Sequence, residues 1–131
     1  MPEPIFYIGL HQPSDADRFE RVCISINRLR KRRKRISASV LLDSGAFTEI
    51  ATHGRYRHSV SQYAAAVRRL LGKVKIEAVV AQDYMCEPWM LAKTGLTIDE
   101  HQRLTIERYD ALESEHSAAA QAQGFVEFAA T

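Results

Sequence analysis

The chain has 131 residues, 46% hydrophobic and 26% charged, the size and balance of one globular domain and not of a disordered or fibrous chain. No apolar run is long enough to cross a bilayer, and Met1-Pro2-Glu3-Pro4 lacks the basic-then-apolar order of a secretory signal, so a cytoplasmic protein is expected. Cys23 and Cys86 are too few for a disulfide framework and cannot by themselves build a structural zinc site.

The elements alternate between strand and helix. Ile5 to Leu10 is a short apolar run, predicting a strand covered on both faces. Ser14 and Asp17 have the spacing of a helix cap, and Phe19, Val22, Cys23, Ile26 and Leu29 follow at helical spacing. Ala38 to Leu42 predicts a second buried strand. Ser44 to His58 holds two glycines and no helical stripe, predicting a long loop with room for a small hairpin. Ser59 and Gln62 form a capping box. Val60, Tyr63, Ala64, Val67, Leu70 and Leu71 then make one apolar face, and Gly72 ends the helix. Ile76 to Ala81 predicts a third strand and Asp83 to Gly95 a loop. A second capping box, Thr97 with Glu100, opens a helix with Ile98, Thr105, Tyr109 and Leu112 on its face. Beyond Glu115 the Ala/Gln-rich tail and Phe125 to Phe128 fit either a longer helix or a fourth strand. This order predicts an α/β fold with a parallel sheet and right-handed crossovers.

Eighteen basic and sixteen acidic residues give a net charge of only +2, but seven of the eighteen lie between Arg28 and Arg35 with no acid among them. Arg30, Lys31, Arg32, Arg33, Lys34 and Arg35 repel one another, and a polyanion would relieve that repulsion while releasing its counterions. A solvated helix end is the plain alternative. No Gly-x-Gly-x-x-Gly follows a strand and there is no Gly-Lys-Ser/Thr loop, so the marks of dinucleotide and P-loop binding are absent.

Each predicted strand runs into polar residues at its carboxyl end: His11 and Gln12, then Asp43 and Ser44, then Gln82 and Asp83. In parallel α/β folds ligands bind at that edge. One acid there is accounted for by capping the next loop's amides; two on successive strands point to a site. Two carboxylates facing one pocket suit attack and proton transfer at a glycosidic carbon, or acceptance of hydrogen bonds from the N–H edge of a purine. A hard cation would need a denser ligand set.

Leu41-Leu42-Asp43-Ser44-Gly45-Ala46-Phe47 resembles the Asp-Ser-Gly-Gly-aromatic signature of tRNA-guanine transglycosylases. Val79 to Pro88 is similar to that superfamily's next strand, which ends in an aspartate followed by a cysteine and a proline. Gly9-Leu10-His11, Gly54-Arg55-Tyr56, Thr94-Gly95-Leu96, Glu100-His101-Gln102 and Thr105 add to the likeness, which runs from about Ile5 to Leu112. The whole set is more similar to the branch that inserts 7-deazaguanine bases into DNA in phages and bacteria, and Gly45-Ala46 in place of a glycine pair fits that branch.

The resemblance implies a (β/α)8 TIM barrel that breaks an N-glycosidic bond and exchanges guanine for a 7-deazaguanine base in DNA or tRNA, with no cofactor. It implies that Asp43 and Asp83 lie in the base pocket, Asp43 in acid/base or base-orienting work and Asp83 on the N–H edge of the base. Ser44, Gly45, Gln82 and His11 would line the pocket, and the basic block with Arg55 would hold the polynucleotide while the base leaves the stack. Two parts of the family pattern have no counterpart: the covalent nucleophile from the second half of the barrel, and the zinc-binding cysteine cluster of the tRNA enzymes. A full barrel takes about 250 residues, so one domain forming the front portion of such an enzyme, completed by a second chain or by a C-terminal half, is expected. Two other functions fit the residues: a non-catalytic nucleic-acid-binding fragment, and a glycosidase-like hydrolase using Asp43 and Asp83.

Other residues have plainer readings. Cys86 suits a small buried hydrophobe. His53 and His58 lack a third metal partner in sequence, and phosphate contacts by Arg55 and Arg57 fit that loop better. Tyr84 and Trp89 suit stacking on a base, although Trp89 with Met90 and Leu91 equally suits a loop anchor. Gln102 and Thr105 suit partners for buried backbone groups.

Overall fold

A computed structural model describes residues 3–123 and 127–129. Among them, five strands form one parallel sheet in the order of the chain: β1 (Ile8–Gly9), β2 (Arg21–Ser25), β3 (Ile36–Asp43), β4 (Val74–Val80) and β5 (Glu127–Ala129). A 3-10 turn (Pro13–Arg18) joins β1 to β2, and a single helical turn, α1 (Ile26–Leu29), lies between β2 and β3. Two helices follow β3, α2 (Ala46–His53) and α3 (Val60–Leu70). Two follow β4, α4 (Pro88–Thr94) and α5 (Ile98–Gln123).

The main core lies between one face of the sheet and the two long helices. Val22 and Ile24 of β2, Val40 and Leu42 of β3, and Ile76 and Val79 of β4 pack with Tyr63, Val67 and Leu70 of α3 and Leu112 of α5. A smaller second core of Ala46, Ile50, Tyr56, Tyr84 and Met90 binds α2 to α4. The short helices thus form a separate layer in the loops that leave the carboxyl ends of β3 and β4. No helix among the described residues is long and apolar enough to cross a membrane.

The α/β class, the parallel sheet and the capping boxes of α3 and α5 follow the sequence. Ser59 Oγ accepts from the Gln62 amide while Gln62 Oε1 accepts from the Ser59 amide, and Thr97 Oγ1 accepts from the Glu100 amide. Five expectations are corrected. Ile5 to Leu10 is not a doubly covered strand: only Ile8 and Gly9 pair, on an edge, and Ile5, Phe6 and Ile8 are exposed.

The helix expected after Ser14 is replaced by the 3-10 turn and β2. Val22, Ile24 and Ile26, every second residue, are fully buried, and this period of two, on β-branched residues, outweighs the period of 3.6. Asp17 caps no helix; its carboxylate accepts from the amide and hydroxyl of Ser37.

The segment Ser44 to His58 holds a helix, α2, because Gly45 (φ 78°) and Gly54 (φ 69°) take the left-handed turns at its two ends. The segment Asp83 to Gly95 likewise holds α4, opened by Pro88 and closed by the left-handed Gly95. On α5, Ile98 is exposed and leaves the predicted apolar face, whereas buried His101 joins it. After Glu115 the backbone does both things the tail allowed: α5 runs to Gln123 and β5 follows. Residues 124–126 lie outside the described residues.

Candidate active site at the carboxyl edge of the sheet

Adjacent strands β3 and β4 deliver Asp43 and Asp83 to the same edge. Asp43 is the last residue of β3, and its Oδ2 accepts from the Gly45 amide at 3.2 Å. The capping role that one acid suffices for is therefore present, and it turns the chain tightly into α2. Gly45 is required twice over. Its φ of 78° favours glycine, and a Cβ there would stand 2.6 Å from Asn27 Nδ2 and 3.0 Å from Ser25 Oγ. The close approach that this glycine permits is to the end of β2 and the start of α1.

Ala81, Gln82 and Asp83 continue β4 as buried chain. Tyr56 ties this end to that of β3: its hydroxyl donates to the Asp83 carbonyl at 2.7 Å and lies 3.2 Å from Ser44 Oγ. The carbonyl can only accept, so the Tyr56 proton goes to it and Ser44 donates to the Tyr56 oxygen. Burial pushes the Tyr56 phenol well above its ordinary value, opposed by the Ser44 bond and reinforced by the charges of Asp83 and Asp43. Tyr63 of α3 makes a matching bond, 2.7 Å, to the Val80 carbonyl.

The loop after Asp83 is held from α5. The Tyr84 amide donates to Thr105 Oγ1 at 2.9 Å, and His101 Nδ1 donates to the Met85 carbonyl at 2.8 Å, with Nε2 2.6 Å from Thr94 Oγ1. Between this loop and α5 opens a cavity of about 570 Å³, lined by Asp83, Tyr84, Cys86, Gln102, Thr105 and Ile106 among others, within the ordinary size of a small-ligand pocket. Asp43 does not line it and connects to it through the Ser44–Tyr56–Asp83 bonds. Gln82 is engaged at both ends of its amide, donating to the His58 carbonyl at 3.0 Å and accepting from Arg108 at 2.6 Å. The Arg108 guanidinium also lies over the rings of Tyr56 and Tyr84, 5.2 and 5.7 Å from their centroids.

His11 is exposed at the end of β1, where Arg28 donates to its Nε2, and it lines a separate 240 Å³ cavity with Ser25, Asn27, Arg28 and Thr48. The basic block is divided by the fold. Arg30 lies by Asn27, at the carboxyl edge, with its Nε 3.3 Å from Asn27 Oδ1. Arg35 precedes Ile36, the first residue of β3, and so reaches the opposite edge, with Lys31 to Lys34 running between. Arg57, itself exposed, binds the buried Glu49 through Nε and Nη2, at 3.2 and 2.8 Å, and Arg55 is exposed as well. Burial alone would raise the Glu49 pKa, but the Arg57 side-chain and backbone bonds outweigh it and hold the carboxyl below its usual range. His58 is pushed below its ordinary value by burial and then by the charge of Arg30. Among the described residues no three His, Cys, Asp or Glu side chains gather as a metal site.

The sequence matches the family described as DpdA, DeoxyPurine in DNA protein A, over residues 3–128. The chain belongs to the DpdA family. The resemblance carried by Asp43 to Phe47 and Val79 to Pro88 is thereby placed in the DNA deazapurine branch of the transglycosylase superfamily. No curated protein and no solved structure matches this DpdA chain.

Tyr56, His101 and Arg108 tie the ends of β3 and β4 to the loop after Asp83, and Glu49 anchors Arg57; the sequence marks Tyr56 and His101 only within the family likeness and gives none of the four a role at this edge. For His101 a signal exists: 101, 105, 108 and 112 continue one stripe of α5 at helical spacing. Glu49 stands in a segment without a visible helical stripe and gives no such sign.

Proposed function

We propose that this chain takes part in exchanging guanine for a 7-deazaguanine base in DNA, with Asp83 lining the base pocket and Asp43 joined to it through Ser44 and Tyr56. The supporting observation is the pair of aspartates at the ends of adjacent parallel strands, linked through Ser44 and Tyr56. Exchange breaks the C1′–N9 bond of deoxyguanosine, whose electron pair stays on N9 and takes up a proton. The incoming base loses a proton from the nitrogen that bonds C1′, so protons balance. Asp43, beside the left-handed turn, moves that proton, and Asp83 accepts from the N–H edge of the base. Neither aspartate is assigned the attack on the anomeric carbon.

The strand order runs without reversal from β1 to β5, which supports the winding of a (β/α)8 barrel over that of a doubly wound sheet. In this reading β1 and β5 are edges to which further barrel strands add, from a continuing or a second chain. A DNA-binding role without catalysis is the second reading, favoured by the position of Asp43 outside the cavity beside Asp83.

Variants separate the readings. Asp43→Asn and Asp83→Asn abolish base exchange and leave DNA retention intact under the first. If DNA is retained but the native chain exchanges no base, the second holds. If neutralising Arg30 to Arg35 leaves DNA retention unchanged, both are wrong about the basic block.

A further inference from the structure

The two aspartate loops lead into helices built alike. Phe47 is the second residue of α2 and Trp89 the second of α4. Their rings meet edge to face at 5.3 Å, yet Phe47 is 64% and Trp89 43% exposed. At the other ends of the helices, a Cβ on Gly54 would stand 3.0 Å from the Lys93 carbonyl, so α2 and α4 run side by side in the same direction. They are eight and seven residues long, which makes the pair about 10–12 Å long at 1.5 Å per residue. One end of that surface carries two exposed rings. The other carries the exposed side chains of His53, Arg55 and Lys93.

Two aromatic rings left in water beside a binding site mark a contact surface. An edge-to-face pair also leaves one ring with both faces unused by its partner. Rings at one end and cations at the other match the chemistry of a nucleic-acid single strand, with bases for the former and phosphates for the latter. The small core of Ile50, Tyr56 and Met90 fixes the helices, so the surface is preformed.

We propose that Trp89, backed by Phe47, stacks on an unpaired base flanking the exchanged one, while Arg55 and Lys93 hold the adjoining phosphates. The inference rests on the DNA reading above and assigns it a strand-holding surface outside the base pocket. Such a surface keeps a locally opened strand from re-pairing.

Trp89 is the single tryptophan of the chain, so its emission reports this surface alone. Titration of the full chain with a short oligothymidylate should quench it to saturation, more strongly than an equal concentration of duplex does. Anisotropy of a labelled oligothymidylate should show Trp89→Ala weakening binding about ten-fold, the loss of one stacked base, and Phe47→Ala weakening it less. Both side chains are exposed, and unchanged circular dichroism verifies that the variants fold. Arg55→Ala with Lys93→Ala should flatten the salt dependence of binding.

Oligothymidylate binding with unchanged emission and no loss in Trp89→Ala overturns the proposal and leaves the DNA reading standing. Absence of binding to any DNA overturns both. An emission change that follows protein concentration and not DNA makes the surface an interface between copies and also overturns it.

Discussion

The Tyr56 hydroxyl donates to the Asp83 carbonyl at 2.7 Å, joining residues 27 positions apart. Through the same oxygen Tyr56 accepts from Ser44, which follows Asp43 directly. One phenol thereby sets the ends of β3 and β4 relative to each other. Tyr56→Phe keeps the ring and removes both bonds. It should destabilise the fold by about 1–3 kcal/mol, the usual effect of stranding buried polar groups, and lower base exchange. Urea unfolding beside an exchange assay checks this, and unchanged values in both would show that the link positions nothing.

Thr105 and His101 hold the loop that follows Asp83 from α5. Thr105→Val preserves shape and strands the Tyr84 amide, so a loss of about 1–3 kcal/mol is expected. Hydrogen exchange at Tyr84 should accelerate before the amides of β3 do, because the damage is local. Equal acceleration in both places would mean that the loop has no independent hold.

The Glu49–Arg57 pair gives stability a dependence on pH. The folded Glu49 carboxyl titrates below its ordinary value of 4.5, so the folded state binds fewer protons than the unfolded one in that range. Its contribution is therefore fully present above 4.5 and is lost as pH falls through the lower folded value. Glu49→Gln should be less stable than the native chain at neutral pH and lose less on acidification. Urea midpoints at neutral and acid pH test the sign, and parallel losses in both proteins would contradict it.

In β2, Ile24 faces the core and half-buried Cys23 the opposite side. Ile24→Ala should cost about 2–5 kcal/mol and Cys23→Ala much less. Comparable losses would favour the helical periodicity that the structure replaces.

That contrast shows what was legible in the sequence. Where one pattern dominated, as for α3 with its Ser59–Gln62 box or β3 with its continuous apolar run, sequence and structure agree. Between Phe19 and Leu29 two periods overlapped, and pairing of Arg21–Ser25 with β3 decided for the strand. The helices α2 and α4 have the look of loops in the sequence because they are short and their glycines suggest turns, whereas Gly45, Gly54 and Gly95 are helix boundaries. For the site, Asp43 and Asp83 were visible at strand ends. Tyr56 and His101 act on backbone carbonyls far away in sequence, and such partners exist only once the chain has folded.

Nucleoside mass spectrometry measures the central claim directly. The full chain is incubated with a 7-deazaguanine base and, in separate arms, duplex DNA and tRNA, beside Asp43→Asn and Asp83→Asn. The account predicts a deazaguanine nucleoside in digested DNA, little or none in tRNA, and loss of the signal in both variants. Incorporation that survives both substitutions would contradict the site, and a folded native chain that modifies neither polymer would contradict base exchange by this chain.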